Sequence, residues 1–173
     1  MNGKDSACFS KKSDEWETPK WLFDLLNDEF QFVLDAAANG ENRKCNAFYD
    51  KYLSALDHDW AESTYVNPPY SKIGPFMKKA YEESQKGATV VCLIPVRSDT
   101  RYWHDYVMKS QEIRFIKGRL KFGDSKTGAP FPSCIVIFKP PSGLIPRAYP
   151  WIGKTINTGI KNISSNKNKD DVK

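Results

Sequence analysis

Short apolar runs alternate along the chain with stretches whose apolar residues recur at helical spacing. Trp21, Leu22, Leu25, Leu26 and Phe30 form the first helical stripe. Thr18-Pro19 ahead of them reads as an N-cap followed by the first helical residue. Residues 32–35 are apolar up to a terminal carboxylate and predict a short buried strand. Residues 36–46 are small and polar, a loop, and Ala47-Phe48-Tyr49 predicts a second strand. Tyr65-Val66-Asn67 predicts a third. Ile73, Phe76, Met77, Ala80 and Tyr81 mark the next helix, with Gly87 as its stop. Residues 89–94 are continuously apolar, as in a strand buried on both faces of a parallel sheet. Trp103, Tyr106 and Val107 mark a third helix. Residues 112–116 and 134–138 predict two more strands, separated by a polar, basic excursion. Strands alternating with helices predict an α/β doubly wound sheet. Beyond Lys139-Pro140-Pro141 the pattern fades. From Ser164 onward the only apolar residue is Val172, too little to offset the entropy of ordering. The expected organisation is a flexible lead-in over 1–15, one domain over 16–140 and an extension over 141–173, disordered from about residue 164.

Composition narrows the class. The 173 residues are 40% hydrophobic and 13% aromatic, enough for one domain with a sizeable core. No apolar run is long enough to cross a bilayer, and the first 15 residues lack the apolar segment of a signal peptide. A cytoplasmic protein with no membrane partner is expected, and a monomer is favoured. Cys8, Cys45, Cys92 and Cys134 show no C-x-x-C spacing and no His pair, so neither a metal site nor a disulfide framework is expected. Cys92 and Cys134 lie inside apolar runs and read as buried thiols. The net charge of +5 is modest, but residues 97–126 hold eight basic residues against four acidic ones. Tyr102, Trp103, Tyr106, Phe115 and Phe122 are interleaved with them. That mixture suits phosphate contact with base stacking, and it equally suits a solvated helix and hairpin.

The most informative string is Asn67-Pro68-Pro69-Tyr70. Four fixed residues coincide by chance on the order of once per thousand chains of this length, so the string outweighs its bland reading as a Pro-rich turn. The Asn side-chain oxygen and the Pro68 carbonyl can both accept from one NH2 group. Neither proline has an N–H to compete, and each ring fixes its φ. The Tyr ring offers a face on which a planar ring can stack. The string is similar to the signature loop of amino-methyltransferases. With residues 14–26 (DEWETPKWLFDLL), FVLDAAA, YVNPPYS and the closing stretch GRLKFGDSKTGAPFPSCIVIF, residues 14–139 resemble the phage and prophage DNA N6-adenine methyltransferase (Dam-type) family.

The resemblance implies a Rossmann-like, seven-stranded S-adenosylmethionine-dependent methyltransferase sheet, mostly parallel with a C-terminal antiparallel hairpin. It implies S-adenosylmethionine as cofactor, double-stranded DNA as partner, no metal, and a phage or prophage gene expressed in a bacterial host. Asn67, Pro68, Pro69 and Tyr70 would form the catalytic loop. Trp16, Thr18, Pro19, Asp35, Ala36 and Asp50 would bind the cofactor. Asp35 has a second reading as a helix-capping residue, Thr18 as a simple N-cap and Trp16 as core. Asp57 or Asp59 is the alternative to Asp50 for the ribose. Tyr70, Phe122 and Phe131 would stack on the target base, although either Phe also reads as a hairpin core residue. Lys72, Arg97, Arg101, Arg119, Lys121 and Lys126 are the candidate DNA contacts. The expected reaction is methyl transfer to adenine N6 after base flipping. Protein-glutamine, RNA or cytosine-N4 methylation shares the same loop chemistry, and a DNA-binding module that has lost catalysis is the rival from another class.

Overall fold

The computed structural model describes residues 16–51 and 53–142. The expected lead-in over 1–15 and nearly all of the extension beyond 140, with its tail from 164, lie outside them. The elements in chain order are α1 (Lys20–Phe30), β1 (Leu34–Asp35), β2 (Ala47–Phe48), β3 (Ser63–Val66), α2 (Ile73–Gln85), β4 (Thr89–Pro95), α3 (Arg101–Asp105), β5 (Glu112–Phe115) and β6 (Ser133–Phe138). They form one mixed sheet in the order β2-β1-β3-β4-β6-β5. β2, β1, β3 and β4 run parallel, and β6 is antiparallel to both of its neighbours. Six strands are found among the described residues, against the seven that the resemblance implies. The described residues between β2 and β3 form bends, turns and irregular chain. Trp60 anchors them, donating its indole N–H to the Ala55 carbonyl at 2.8 Å and its backbone N–H to Glu83 at 3.1 Å.

The alternation of side chains along a strand divides the core in two. Val90, Cys92 and Ile94 of β4, with Cys134, Val136 and Phe138 of β6, pack under α2 and α3. Val91 and Leu93, with Ile135 and Ile137, pack under α1 and the excursion that joins β5 to β6. Central strands buried on both faces explain the unbroken apolar run in the sequence.

Helix α1 departs from expectation in two ways. Leu22, Phe23 and Leu26 are its buried residues, while Trp21 and Leu25 are 58% and 62% exposed. The apolar stripe is wider than the buried one and extends past it on one side. Pro19, and not Thr18, is the N-cap residue; its carbonyl accepts from Leu22 and Phe23, both at 3.1 Å. Thr18 is drawn instead into contacts with β3. Gly87 follows α2 with φ +114°, as its reading as a helix stop requires.

Candidate active site

In the parallel part of the sheet, the carboxyl ends of adjacent strands lie along one edge. Asp35 ends β1 and is in register with Tyr65 of β3, so Asp35 and Asn67 emerge side by side. Because β6 is antiparallel, its start at Ser133 lies at this same edge, and the 116–132 excursion therefore opens over it. A cleft of about 420 Å³ runs along the edge, lined by Trp16, Thr18, Asp35, Ala36, Asp50, Asn67, Pro69 and Lys72, among others. Five of the six expected cofactor residues line it. Pro19 instead caps α1 beside it, and Asp57 and Asp59 do not line it. Asp59 is engaged by Lys86 at 2.8 Å, whereas Asp50 accepts from the Leu53 N–H at 2.8 Å at the cleft wall.

Asp35 is 3% exposed. Its two oxygens accept from the Ala37 N–H at 3.3 Å and the Lys44 N–H at 3.0 Å. These bonds fold the small-residue loop 36–44 around the carboxylate. Burial raises the Asp35 pKa from 3.8 to about 6, opposed by the two backbone donors and the nearby Lys44 charge. The group is thus a buried carboxylate with no side-chain cation bonded to it among the described residues, facing a cleft.

Asn67 is gripped from one side. Its Nδ2 donates to the Trp16 carbonyl and, at 3.1 Å, to Thr18 Oγ1. A carbonyl can only accept, so the amide orientation is determined: the NH2 faces Trp16 and Oδ1 faces away. Oδ1 is buried and accepts no hydrogen bond among the described residues. The same is true of the Tyr70 hydroxyl, whose burial holds its pKa well above the usual tyrosine value. The Pro69 carbonyl is taken by the Lys72 N–H at 2.8 Å, which closes the turn over Tyr70–Lys72.

The aromatic residues form one cluster. Trp16 stacks on Tyr70 with centroids 5.9 Å apart, and Phe122 and Phe131 meet Trp16 edge-on at 5.1 and 5.4 Å. Phe131 also meets Tyr70 directly at 5.2 Å. Both phenylalanines are buried, so each is also a core residue of the excursion.

The candidate DNA contacts divide. Arg119, Lys121 and Lys126 are exposed on the excursion and make no ion pair among the described residues. Lys72 is exposed at the cleft. Arg97 is half-buried just past β4, and Arg101 pairs with Asp105 one helical turn on, at 3.1 Å. Arg114 turns away altogether, bonded to Glu29 at 2.6 and 2.7 Å.

Sequence reasoning missed Tyr65, Glu17 and Lys44. Tyr65 is fully buried, and its hydroxyl lies 2.8 Å from Thr18 Oγ1. Lys44 Nζ reaches Glu17 at 2.9 Å across the cleft mouth. The signal for Tyr65 was available: it stands two residues before Asn67 in the strand predicted over 65–67, a spacing that sends both side chains to the same face.

The fold is that of an α/β protein with a mixed six-stranded sheet, and at the carboxyl edge of the sheet a buried carboxylate, a small-residue loop and an Asn-Pro-Pro-Tyr turn converge. The chain belongs to the DNA N-6-adenine-methyltransferase (Dam) family, whose sequence profile matches residues 5–172. It is 32% identical over 154 residues to the DNA N-6-adenine-methyltransferase of Haemophilus phage HP1 (strain HP1c1), covering 81% of this chain and 89% of that protein. It is also 32% identical over 110 residues to the DNA N-6-adenine-methyltransferase of Escherichia phage T1, covering 62% of this chain and 46% of that protein. The chain thus spans just under half the length of the T1 protein. Among the described residues no helix is long and apolar enough to cross a membrane, and no cluster of metal-ligating side chains occurs.

Proposed function

We propose that this chain transfers a methyl group from S-adenosylmethionine to the exocyclic N6 of adenine in double-stranded DNA. The observation that carries the reading is Asn67 Oδ1, a buried acceptor without a partner among the described residues, beside a cleft that also holds a buried carboxylate. An orphaned buried acceptor is costly unless a ligand donor completes it. An amino group supplies that donor.

The cleft residues fit the cofactor, in a Rossmann-like methyltransferase arrangement of the sheet. Ionised Asp35 suits a cationic amino group, and Asp50 suits ribose hydroxyls. Trp16, Ala36 and the loop after it supply apolar and backbone walls, and Thr18 and Pro19 place the start of α1, with its free N–H groups, toward a carboxylate. When bound, S-adenosylmethionine supplies an electrophilic methyl group.

The residues of the chain do the rest. Asn67 Oδ1 and the Pro68 carbonyl accept the two N6 hydrogens, which turns the nitrogen lone pair out of conjugation and stabilises the positive charge that grows there. Pro69 keeps the turn rigid. Asn67 is an amide and takes no proton; the proton leaves to solvent. Adenine reaches this turn only by leaving the duplex stack, and it then lies against the Tyr70 ring. Two stacking distances need about 7 Å, so a base held between Tyr70 and Phe131 requires those rings to part from their 5.2 Å contact. Trp16 and Phe122 complete the aromatic wall. Lys72 at the cleft, Arg97 and Arg101 past β4, and Arg119, Lys121 and Lys126 on the excursion hold the phosphates.

A methyl-transfer assay with labelled cofactor on unmethylated DNA, RNA and protein tests the reading, followed by digestion of the product to nucleosides. The expected product is N6-methyldeoxyadenosine from DNA. Label in RNA, protein or cytosine alone overturns it.

A further inference from the structure

Asparagine is a poor choice for an aligned acceptor unless something fixes which end of its amide faces the substrate. The two ends are nearly equal in size, and a half-turn about the last side-chain bond exchanges acceptor for donor. A flipped Asn67 would present NH2 to the adenine NH2, and no bond would form. The amide is held by two acceptors on one short segment: the Trp16 carbonyl and Thr18 Oγ1. That segment is itself anchored on every side. The Trp16 ring sits among Tyr70, Phe122 and Phe131. The Glu17 carbonyl accepts from the Gly123 N–H at 3.0 Å, and the Glu17 carboxylate pairs with Lys44. Thr18 Oγ1 lies 2.8 Å from the Tyr65 hydroxyl, which is buried with it.

We infer that Thr18 is a positioning residue for Asn67, and that Tyr65 acts on Asn67 through Thr18. The inference rests on the proposed role of Asn67 as acceptor for the adenine amino group. It gives the Thr18 hydroxyl a task separate from the cofactor. Thr18 Oγ1 has two lone pairs and one hydrogen. It accepts from Asn67 Nδ2, and its remaining capacity joins it to Tyr65. Among the described residues, removing the hydroxyl leaves the Asn67 NH2 with one partner in place of two and leaves the Tyr65 hydroxyl buried with none. Tyr65 lies on β3 and Asn67 follows the end of that strand, two residues on, so the strand end sets the spacing of the relay.

The test uses the full chain with unmethylated duplex DNA, comparing T18V, T18S, Y65F, the T18V/Y65F double variant and N67A. Turnover is measured at saturating DNA and saturating S-adenosylmethionine, and cofactor affinity separately by calorimetry. At saturation a weakened cofactor contact no longer limits the rate, so a fall in kcat reports on alignment. T18V, which exchanges a hydroxyl for a methyl group of similar size, is expected to lower kcat about tenfold, the order of one net hydrogen bond. T18S should stay within about threefold of wild type, because the hydroxyl returns. Y65F should lower kcat about threefold, and the double variant should be no slower than T18V, since both act on one relay. Should T18V not fold, Y65F carries the test alone, because it deletes a single oxygen. Wild-type kcat in T18V and Y65F, with N67A still inactive, overturns the inference and leaves the proposed function standing. So does a T18V defect confined to cofactor affinity. Wild-type turnover in N67A is a different failure, since it removes the catalytic role of Asn67 itself.

Discussion

Asn67 and Asp35 sit at the carboxyl ends of neighbouring strands and are expected to fail in opposite ways. In the proposed reaction Asn67 touches the amine as it reacts, so N67A should lower turnover by roughly two to three orders of magnitude while leaving S-adenosylmethionine affinity unchanged in calorimetry. Asp35 is the proposed partner of the cofactor's amino group, and its pKa of about 6 gives that proposal a pH signature. The carboxylate must be ionised to hold a cationic amino group. Affinity should therefore be level above pH 6 and fall about tenfold per pH unit below it. D35N should bind weakly with no such pH dependence, and a wild-type affinity that is flat between pH 5 and pH 7 would exclude Asp35 as the amine partner. The sign for stability is the reverse. A carboxyl whose folded pKa is raised binds more protons folded than unfolded between pH 3.8 and pH 6. Its contribution to stability is fullest below pH 3.8 and is lost as pH rises through about 6.

At the scale of elements, the excursion between β5 and β6 carries two sets of side chains, one buried and one proposed to meet DNA. Leu120, Phe122, Ala129 and Phe131 are buried against α1 and the sheet, and the Ala129 N–H bonds the Leu120 carbonyl at 2.8 Å to hold the two arms together. Gly128 has no alternative there: a Cβ would come within 2.7 Å of the Arg119 Cβ. The intervening Arg119, Lys121 and Lys126 point to solvent. Removing charge at Arg119 and Lys121 together should therefore weaken DNA binding without loss of fold. The log–log salt slope should flatten by about one unit for each phosphate no longer neutralised; an unchanged slope means that these side chains face away from the duplex. The alternation of apolar and basic residues in 119–122 made this division visible in the sequence. Apolar periodicity alone could not place the excursion, because its position depends on β6 running antiparallel and so beginning at the same edge as Asn67; only the family resemblance implied that hairpin.

For the molecule as a whole, legibility followed the range of the interaction. The strands and α2 were readable because their apolar periods are local and are reinforced by Gly87 and the prolines. Asp35, Asn67, Thr18 and Trp16 were readable as candidates for one site because they fall in recognisable strings. Their mutual arrangement was not, since it comes from strand order and register. Thr18 shows the cost of local reading: Thr-Pro before an apolar stripe is a sound cap signal, yet a buried tyrosine and asparagine 47 and 49 positions away claim its hydroxyl. Trp21 and Leu25 erred the other way, as an apolar stripe wider than the surface available to cover it.

The short segment over Trp16–Thr18 has one more consequence, for the order in which the molecule assembles. Its bonds reach partners 27, 47 and 51 positions along the chain, and the Glu17 carbonyl reaches further still, to Gly123. The segment lies outside every helix and strand, so it is expected to dock late in folding and to be released before the sheet in unfolding. In a urea titration, methyl transfer should disappear at concentrations where far-ultraviolet circular dichroism still reports an intact sheet. Amide hydrogens of β4 should outlast the Gly123 amide in exchange. Loss of activity and of circular dichroism along one common curve would mean that the strap is as firmly built as the sheet beneath it.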